Sequence, residues 1–219
     1  MKKLRHRLLS LVTGAAAAAI IAAGGTGILP QNFSLPTLTA QAEAADALTY
    51  LDEDGESVTV SDYTAVTSAD TAWNAGTYAV TEDVTFRDRV KVTGTVNLIL
   101  CDGAELSAQD GIQVNEGNTL NIFAQSIGDS MGKLTAEGSS DNAAIGGHMD
   151  EAGGKITING GVVTANGGWN SAAIGGGFYG AGGTITINGG KVKANGGETS
   201  AAIGGGKEGA GGTITITGG

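Results

Sequence analysis

The sequence predicts an all-β fold, a parallel β-helix in which one repeat of 29 residues forms one coil of a solenoid. Three observations predict it. Ile156, Ile185 and Ile214 recur at a constant interval without insertions, the stretches around them alternate between apolar and polar residues, and Gly pairs separate these stretches. We therefore expect strands that stack axially, with like side chains superimposed in an interior column.

Composition restricts the class of protein further. Of the 219 residues, 39 are Gly and two are Pro, without the triplet rule of collagen or the Glu and Lys heptads of a coiled coil. Hydrophobic residues make up 41% of the chain, which argues against charged disorder. From Ala45 onward the chain has 8 basic and 21 acidic residues, so it should repel phosphate backbones and is not expected to bind nucleic acid.

Residues 1–45 have the features of a secretory signal peptide and its processing region. The basic start MKKLRHR precedes the apolar run LLSLVTGAAAAAIIAAGG, and Ala40-Gln41-Ala42 offers the small residues that cleavage requires. An uncleaved signal anchor is the alternative. The leader predicts a protein that is secreted or displayed at the cell surface, with no membrane span after cleavage.

Residues 46–77 are predicted to form an N-terminal hairpin or capping region. Strand-like stretches lie on both sides of Asp54-Gly55, which is a turn dipeptide. The carboxylates of Asp52 and Asp54 also fit a weak Ca²⁺ site, but no Glu follows at the distance that an EF-hand requires. A plain turn is therefore the favoured interpretation, and no cofactor is expected.

Residues 78–132 are predicted to form irregular first coils, and residues 133–219 the regular coils. In the first regular unit the strands are Ala143–Ile145, Lys155–Ile158 and Val162–Ala165. Ordering the backbone costs roughly 1–2 kcal/mol per residue, and a single unit buries too few apolar side chains to offset this cost. Stacked units bury more apolar surface and can offset it. A β-sandwich does not require a constant period, and a β-propeller blade needs about 40 residues.

The repeat pattern continues upstream with different residues. Leu120-Asn121-Ile122 is expected to take the place of Ile-Thr-Ile, and Leu134-Thr135-Ala136 that of Val-x-Ala.

The sequence stops at Gly219, directly after a strand of the third unit. We therefore expect a truncated chain with an open strand ladder at this end.

Two further residue types are predicted to be structural. Cys101 is the single cysteine and follows an apolar stretch, so it is expected to be a small buried residue rather than a nucleophile. Asn159 and Asn188 precede Gly at equivalent positions of two repeats, where we expect a ladder of stacked amides.

The repeat resembles the Gly-rich repeats of secreted proteins from gut-type Gram-positive bacteria. The resemblance is carried by Ser-Ala-Ala-Ile-Gly-Gly-Gly at 200–206 and Gly-Gly-Thr-Ile-Thr-Ile-Asn-Gly-Gly-Lys-Val-Lys-Ala-Asn-Gly-Gly at 182–197, and it extends over roughly residues 48–219. It implies a right-handed β-helix at the cell surface, of an adhesin-like or carbohydrate-binding kind. It implies no catalytic motif.

Positions that vary between repeats are the expected binding positions, because constant positions in a solenoid serve stacking. Two loops vary in each unit, and each set of equivalent loops is expected to stack along an edge of the solenoid. Exposed aromatic rings can pack against sugar faces, while amides and carboxylates bind sugar hydroxyls. The residues predicted to contact a glycan are Trp169, Asn170, Phe178, Tyr179 and Glu198.

One of these loops also contains possible metal ligands. His148, Asp150 and Glu151 lie within four residues, but the following units lack them, so solvated loop charges are favoured and no metal is expected.

The sequence therefore predicts a non-enzymatic surface scaffold or adhesin module that contacts glycans or host and extracellular matrix through its variable loops. The alternative is a polysaccharide lyase or glycoside hydrolase of the β-helix type, acting on acidic plant or mucin polysaccharide. Its carboxylates would come from Glu82–Asp88 and Asp102–Asp110, since the regular strands carry almost no acid. A third hypothesis is a passive spacer.

Overall fold

The computed structural model describes residues 47–219, and the predicted signal peptide lies outside this range. Twenty strands and no helix occur in the described part, so it contains no helix that could span a membrane. The strands are β1 (Leu48–Leu51), β2 (Ser57–Val60), β3 (Thr64–Ala65), β4 (Ala72–Trp73), β5 (Gly76–Val80), β6 (Val84–Phe86), β7 (Val90–Val92), β8 (Thr95–Leu100), β9 (Glu105–Ala108), β10 (Ile112–Gln113), β11 (Thr119–Ala124), β12 (Lys133–Glu137), β13 (Ile145–Gly146), β14 (Lys155–Ile158), β15 (Val162–Asn166), β16 (Ile174–Gly175), β17 (Thr184–Ile187), β18 (Lys191–Asn195), β19 (Ile203–Gly204) and β20 (Thr213–Ile216).

The chain visits three parallel sheets in turn and repeats the circuit. Sheet A has the order β3-β5-β8-β11-β14-β17-β20, sheet B the order β4-β7-β10-β13-β16-β19, and sheet C the order β6-β9-β12-β15-β18. Each strand inside a sheet therefore pairs with the equivalent strand of the coil before it and of the coil after it. This is a parallel β-helix solenoid, and the predicted fold class is confirmed.

The predicted interior column of isoleucines is present. Ile156 pairs with Ile185, and Ile185 pairs with Ile214, each in parallel register. Ile156 and Ile185 are fully buried, whereas Ile214 is 42% exposed because it lies in β20, the last strand of sheet A. The 29-residue period thus corresponds to one coil.

The irregular coils follow the same register. Leu120 pairs with Ile156, and Leu134 pairs with Val163, as the pattern predicted. The parallel stack also extends further toward the N-terminus than residue 78, because Thr64 pairs with Tyr78 at the start of sheet A. Parallel pairing thus begins inside the segment 46–77.

The predicted hairpin is confirmed, and it lies along the side of sheet A. Strands β1 and β2 pair antiparallel, and Leu51 also pairs with Ala124 of β11. Successive side chains of a strand point to opposite faces, so Ile99 of β8 and Phe123 of β11 point away from the interior of the solenoid. Both are nevertheless buried. Tyr50 of the hairpin packs edge-on against Phe123, with ring centroids 5.1 Å apart. The hairpin therefore covers an apolar patch on the outer face of the solenoid.

Glycine is required where the backbones of successive coils come closest. Gly146, Gly175 and Gly204 occupy one position of sheet B, with φ between +134° and +142°. A Cβ atom on Gly146 would lie 2.0 Å from the carbonyl oxygen of Gly175. No side chain fits at that separation, which explains why Gly recurs at this position.

Polar side chains form ladders along the turns. The amide of Asn188 donates to Oδ1 of Asn159 at 2.8 Å, and the hydroxyl of Thr217 donates to Oδ1 of Asn188 at 2.9 Å. The predicted asparagine ladder is therefore confirmed. Each rung pairs the side-chain polar group of one coil with that of the next.

Candidate functional site

Two series of loops flank the short strands of sheet B. The first series comprises residues 139–142, 168–171 and 197–200, and the second comprises residues 148–151, 177–180 and 206–209. We refer to the two series together as the variable-loop edge, because their side chains differ from coil to coil.

The two series lie side by side. The backbone N–H of Phe178 donates to the carbonyl of Asp141 at 2.9 Å, and that of Lys207 donates to the carbonyl of Asn170 at 2.9 Å. Each second-series loop therefore contacts the first-series loop of the preceding coil. The variable residues of both series thus share one edge of the solenoid.

Aromatic side chains mark the middle coil of this edge. Trp169 is 59% exposed and Tyr179 is 51% exposed. The ring of Tyr179 stacks on that of Phe178, with centroids 3.8 Å apart and planes inclined by 29°. The ammonium group of Lys207 lies 5.7 Å from the centre of the Phe178 ring. Phe178 is half-buried, so it supports Tyr179 while Trp169 and Tyr179 face solvent.

Side chains of the second series are presented from an unfavourable backbone conformation. Asp150, Tyr179 and Glu208 occupy the same position of three successive coils, with φ of 64°, 62° and 63°. This left-handed conformation costs residues with a side chain roughly 1–2 kcal/mol, whereas Gly adopts it without this cost. The chain keeps a large side chain at each of these positions, and all three side chains are exposed.

The predicted ligand residues of the first series differ in their surroundings. The Asn170 amide donates to Oδ1 of Asp141 at 2.8 Å, and its oxygen accepts from the Thr199 hydroxyl at 3.2 Å. Asn170 therefore links three coils and holds the loop that carries Trp169. Glu198 is exposed and lies one coil beyond Trp169.

The three possible metal ligands do not converge. Glu151 accepts hydrogen bonds from Gln113, at 3.3 Å, and from Asn115, while His148 and Asp150 are exposed to solvent. Within residues 47–219, no group of three or more His, Cys, Asp or Glu side chains could hold a metal ion.

The acidic turn of the hairpin is held by hydrogen bonds within the turn. Oδ1 of Asp52 accepts from the backbone N–H groups of Asp54, at 3.0 Å, and Glu56, at 2.9 Å. Gly55 has φ of +78°, which completes the turn. The Asp52 carboxylate therefore closes the turn of the hairpin.

A groove of about 520 Å³ lies between this turn and the asparagine ladder. Its walls include Leu51, Ile127 and Met131, together with backbone around Asn159 and Asn188. It has no residue in common with the variable-loop edge.

Arg89 is a half-buried cation that no sequence pattern indicates. Its guanidinium donates to the carbonyls of Asp110, at 2.8 Å, and Gly146, at 3.2 Å, and so bridges coils where the repeat is irregular. Burial lowers the pKa of Arg89 to about 10, although the negative charges of Asp110 and Glu151 act to raise it. Its neighbour Arg87 is exposed, and no sequence signal distinguishes the two.

Cys101 is buried directly after β8, as expected. Burial raises the pKa of its thiol to about 11, and the nearby Asp102 carboxylate adds to the effect. A thiol with this pKa is a poor nucleophile at neutral pH. The structure thus agrees with a packing role.

Comparison with protein families gives one result that bears on this architecture. The family model described as Beta helix repeat matches residues 156–178 and 185–207, which span equivalent parts of two successive coils. The comparisons with curated proteins and with solved structures find no significant match. β-Helix repeats occur in adhesins and in polysaccharide-degrading enzymes, so the match gives the fold rather than the activity. The sheet topology makes the described part of the chain a parallel β-helix, and the match identifies β-helix repeats within residues 156–207.

Proposed function

We propose that the protein is a secreted or cell-surface scaffold of the adhesin type, non-enzymatic, that binds glycans through the variable-loop edge. The observation that carries the proposal is the pair of exposed aromatic rings, Trp169 and Tyr179, in the two variable loops that flank β16. The predicted leader in residues 1–45 supports a location outside the cell.

The chemistry of the variable-loop edge matches what a sugar presents. One face of a pyranose ring is lined by C–H groups, which pack on an aromatic plane and lose contact with water. The hydroxyls at its rim need acceptors, and the exposed carboxylates of Asp150, Glu198 and Glu208 lie on the neighbouring coils. Phe178 holds the Tyr179 ring in place, which lowers the entropy lost on binding.

The rigidity of the solenoid supports a binding role for these loops. The loops are joined to each other by backbone hydrogen bonds, including that from Asn170 N–H to the Ser140 carbonyl at 2.9 Å. Residues presented on a rigid support keep their spacing when the ligand leaves. A flat edge of this kind suits a polymer that runs along several coils.

A glycan array with the wild-type chain and the Trp169→Ala variant tests this function. We expect the wild type to bind a subset of glycans and Trp169→Ala to lose most of that signal. Ile127→Ala is the control, because Ile127 is an apolar residue outside the variable-loop edge that is even more exposed than Trp169. Absence of binding by the wild type, or equal binding by Trp169→Ala, would contradict the proposal.

A second assay addresses the non-enzymatic part of the proposal. The chain is incubated with polygalacturonate and with mucin glycans, with and without Ca²⁺, and unsaturated and reducing sugar ends are measured. We expect no product above the background of buffer alone. Product that accumulates in proportion to protein would instead identify a lyase or hydrolase.

A further inference from the structure

Each exposed aromatic ring has acidic residues at the same position of a neighbouring coil. Glu198 occupies the position of Trp169 one coil later, while Asp150 and Glu208 occupy the position of Tyr179 one coil before and after. Successive coils are about 4.8 Å apart. A sugar that covers either ring therefore has carboxylates at its rim, within reach of its ring substituents.

The variable-loop edge as a whole is strongly acidic. Its carboxylates are Asp141, Asp150, Glu151, Glu198 and Glu208, and its cation is Lys207, with His148 as a further titratable group. The ammonium group of Lys207 faces the Phe178 ring. An anionic sugar is repelled from such a surface, and a sugar that carries a positive charge is attracted to it.

We propose that the variable-loop edge selects glycans with protonated amino groups, of which oligomers of glucosamine are the simplest example, and rejects glycans with carboxylate or sulfate groups. The inference rests on the proposed glycan-binding function and specifies its substrate class. The aromatic rings bind the sugar ring, and the carboxylates of Glu198, Glu208 and Asp150 accept hydrogen bonds from the ammonium groups.

The charge contribution should be modest and sensitive to salt. Exposed ion pairs are individually weak, and two or three together correspond to about a fivefold to tenfold gain in affinity at low ionic strength. Screening removes most of this gain at high salt, while the stacking on Trp169 remains.

The test uses calorimetry with three hexasaccharides, which consist of glucosamine, N-acetylglucosamine or galacturonate, at low and at high salt. We expect glucosamine to bind about fivefold to tenfold more tightly than N-acetylglucosamine at low salt, and about equally at high salt. Galacturonate should bind most weakly. The double variant Glu198→Gln/Glu208→Gln should lose the preference for glucosamine but still bind N-acetylglucosamine.

A matched double variant controls for total charge. Glu53→Gln/Asp54→Asn removes the same number of charges from the exposed hairpin turn, and it should keep the preference for glucosamine. If this control also abolishes the preference, net charge rather than the variable-loop edge selects the ligand, and the inference is wrong.

Other outcomes separate the inference from the function on which it rests. Equal binding of glucosamine and N-acetylglucosamine at low salt, or tighter binding of galacturonate, overturns the inference and leaves glycan binding intact. Binding of none of the three, with no array signal, overturns both. Oligolysine that binds as tightly as the glucosamine oligomer, and equally to Trp169→Ala, would show charge attraction without sugar recognition and would also overturn the inference.

Discussion

The ring of Tyr179 lies on the ring of Phe178, with centroids 3.8 Å apart, and it does so from a backbone φ of 62°. A left-handed conformation at a bulky residue is costly, and a stacked neighbour stabilises the resulting side-chain position. The pair therefore combines a strained backbone with an ordered and exposed aromatic surface. This combination supports the proposed ligand contact at the loop.

Phe178→Leu should weaken sugar binding without unfolding the protein. Aromatic pairs are worth about 0.5–1.5 kcal/mol beyond the area they bury, so loss of the support under Tyr179 should reduce affinity about twofold to tenfold. Calorimetry with the best glycan from the array measures the change. Tyr50→Ala is the control, since Tyr50 also contacts a Phe ring but lies in the hairpin. It should lower thermal stability and leave affinity unchanged, and the reverse result would contradict the assignment.

Glu208→Gly should give a more stable protein than Glu208→Ala, by about 1 kcal/mol, because only Gly adopts a φ of 63° without steric cost. Chemical denaturation of the two variants measures the difference. Glu198 does not have a positive φ. There the Ala variant should be more stable than the Gly variant, because Gly only increases the conformational entropy of the unfolded state. Equal stability of the two Glu208 variants would show that the left-handed backbone carries no cost.

Ile185→Ala should destabilise the solenoid more than Ile214→Ala. Ile185 is fully buried between two coils, so its truncation leaves a cavity and costs about 2–5 kcal/mol. Ile214 is 42% exposed, so its truncation should cost about 1 kcal/mol. Denaturant unfolding followed by circular dichroism measures both. Similar losses would mean that the interior column does not carry the stability of the stack.

Native Cys101 should react slowly with thiol reagents at pH 8. Its pKa is raised from 9.0 to about 11, which lowers the thiolate fraction about a hundredfold, and burial restricts access further. The labelling rate should rise to that of a free cysteine in denaturant. Rapid labelling of the folded protein would show that the coil around β8 opens readily.

The same thiol makes stability depend on pH. Between pH 9 and pH 11 the unfolded thiol releases its proton while the folded thiol keeps it, so the unfolded state binds fewer protons and stability falls as pH rises. Cys101→Ala should remove this part of the decline. The measurement is the difference in unfolding free energy between wild type and variant at pH 8 and pH 11. A constant difference would contradict the raised pKa.

Much of the fold follows from spacing alone. In a solenoid, a constant period forces equivalent residues into adjacent coils, so the pairing of Ile156 with Ile185 follows from their separation in sequence. The same logic placed Leu120 against Ile156. Exposure of Trp169 and Tyr179 was also predictable, because both interrupt otherwise constant Gly-rich turns.

The sequence by itself therefore determined the coil, its register and the residues that vary on its surface, because these depend on periodicity. Only the tertiary structure decided where the non-periodic parts lie: the hairpin beside β11, the half-buried Arg89 between irregular coils, and the contact of each second-series loop with the preceding coil. These contacts join residues without a common repeat position, and their energies depend on burial and hydrogen-bond geometry that no sequence spacing encodes.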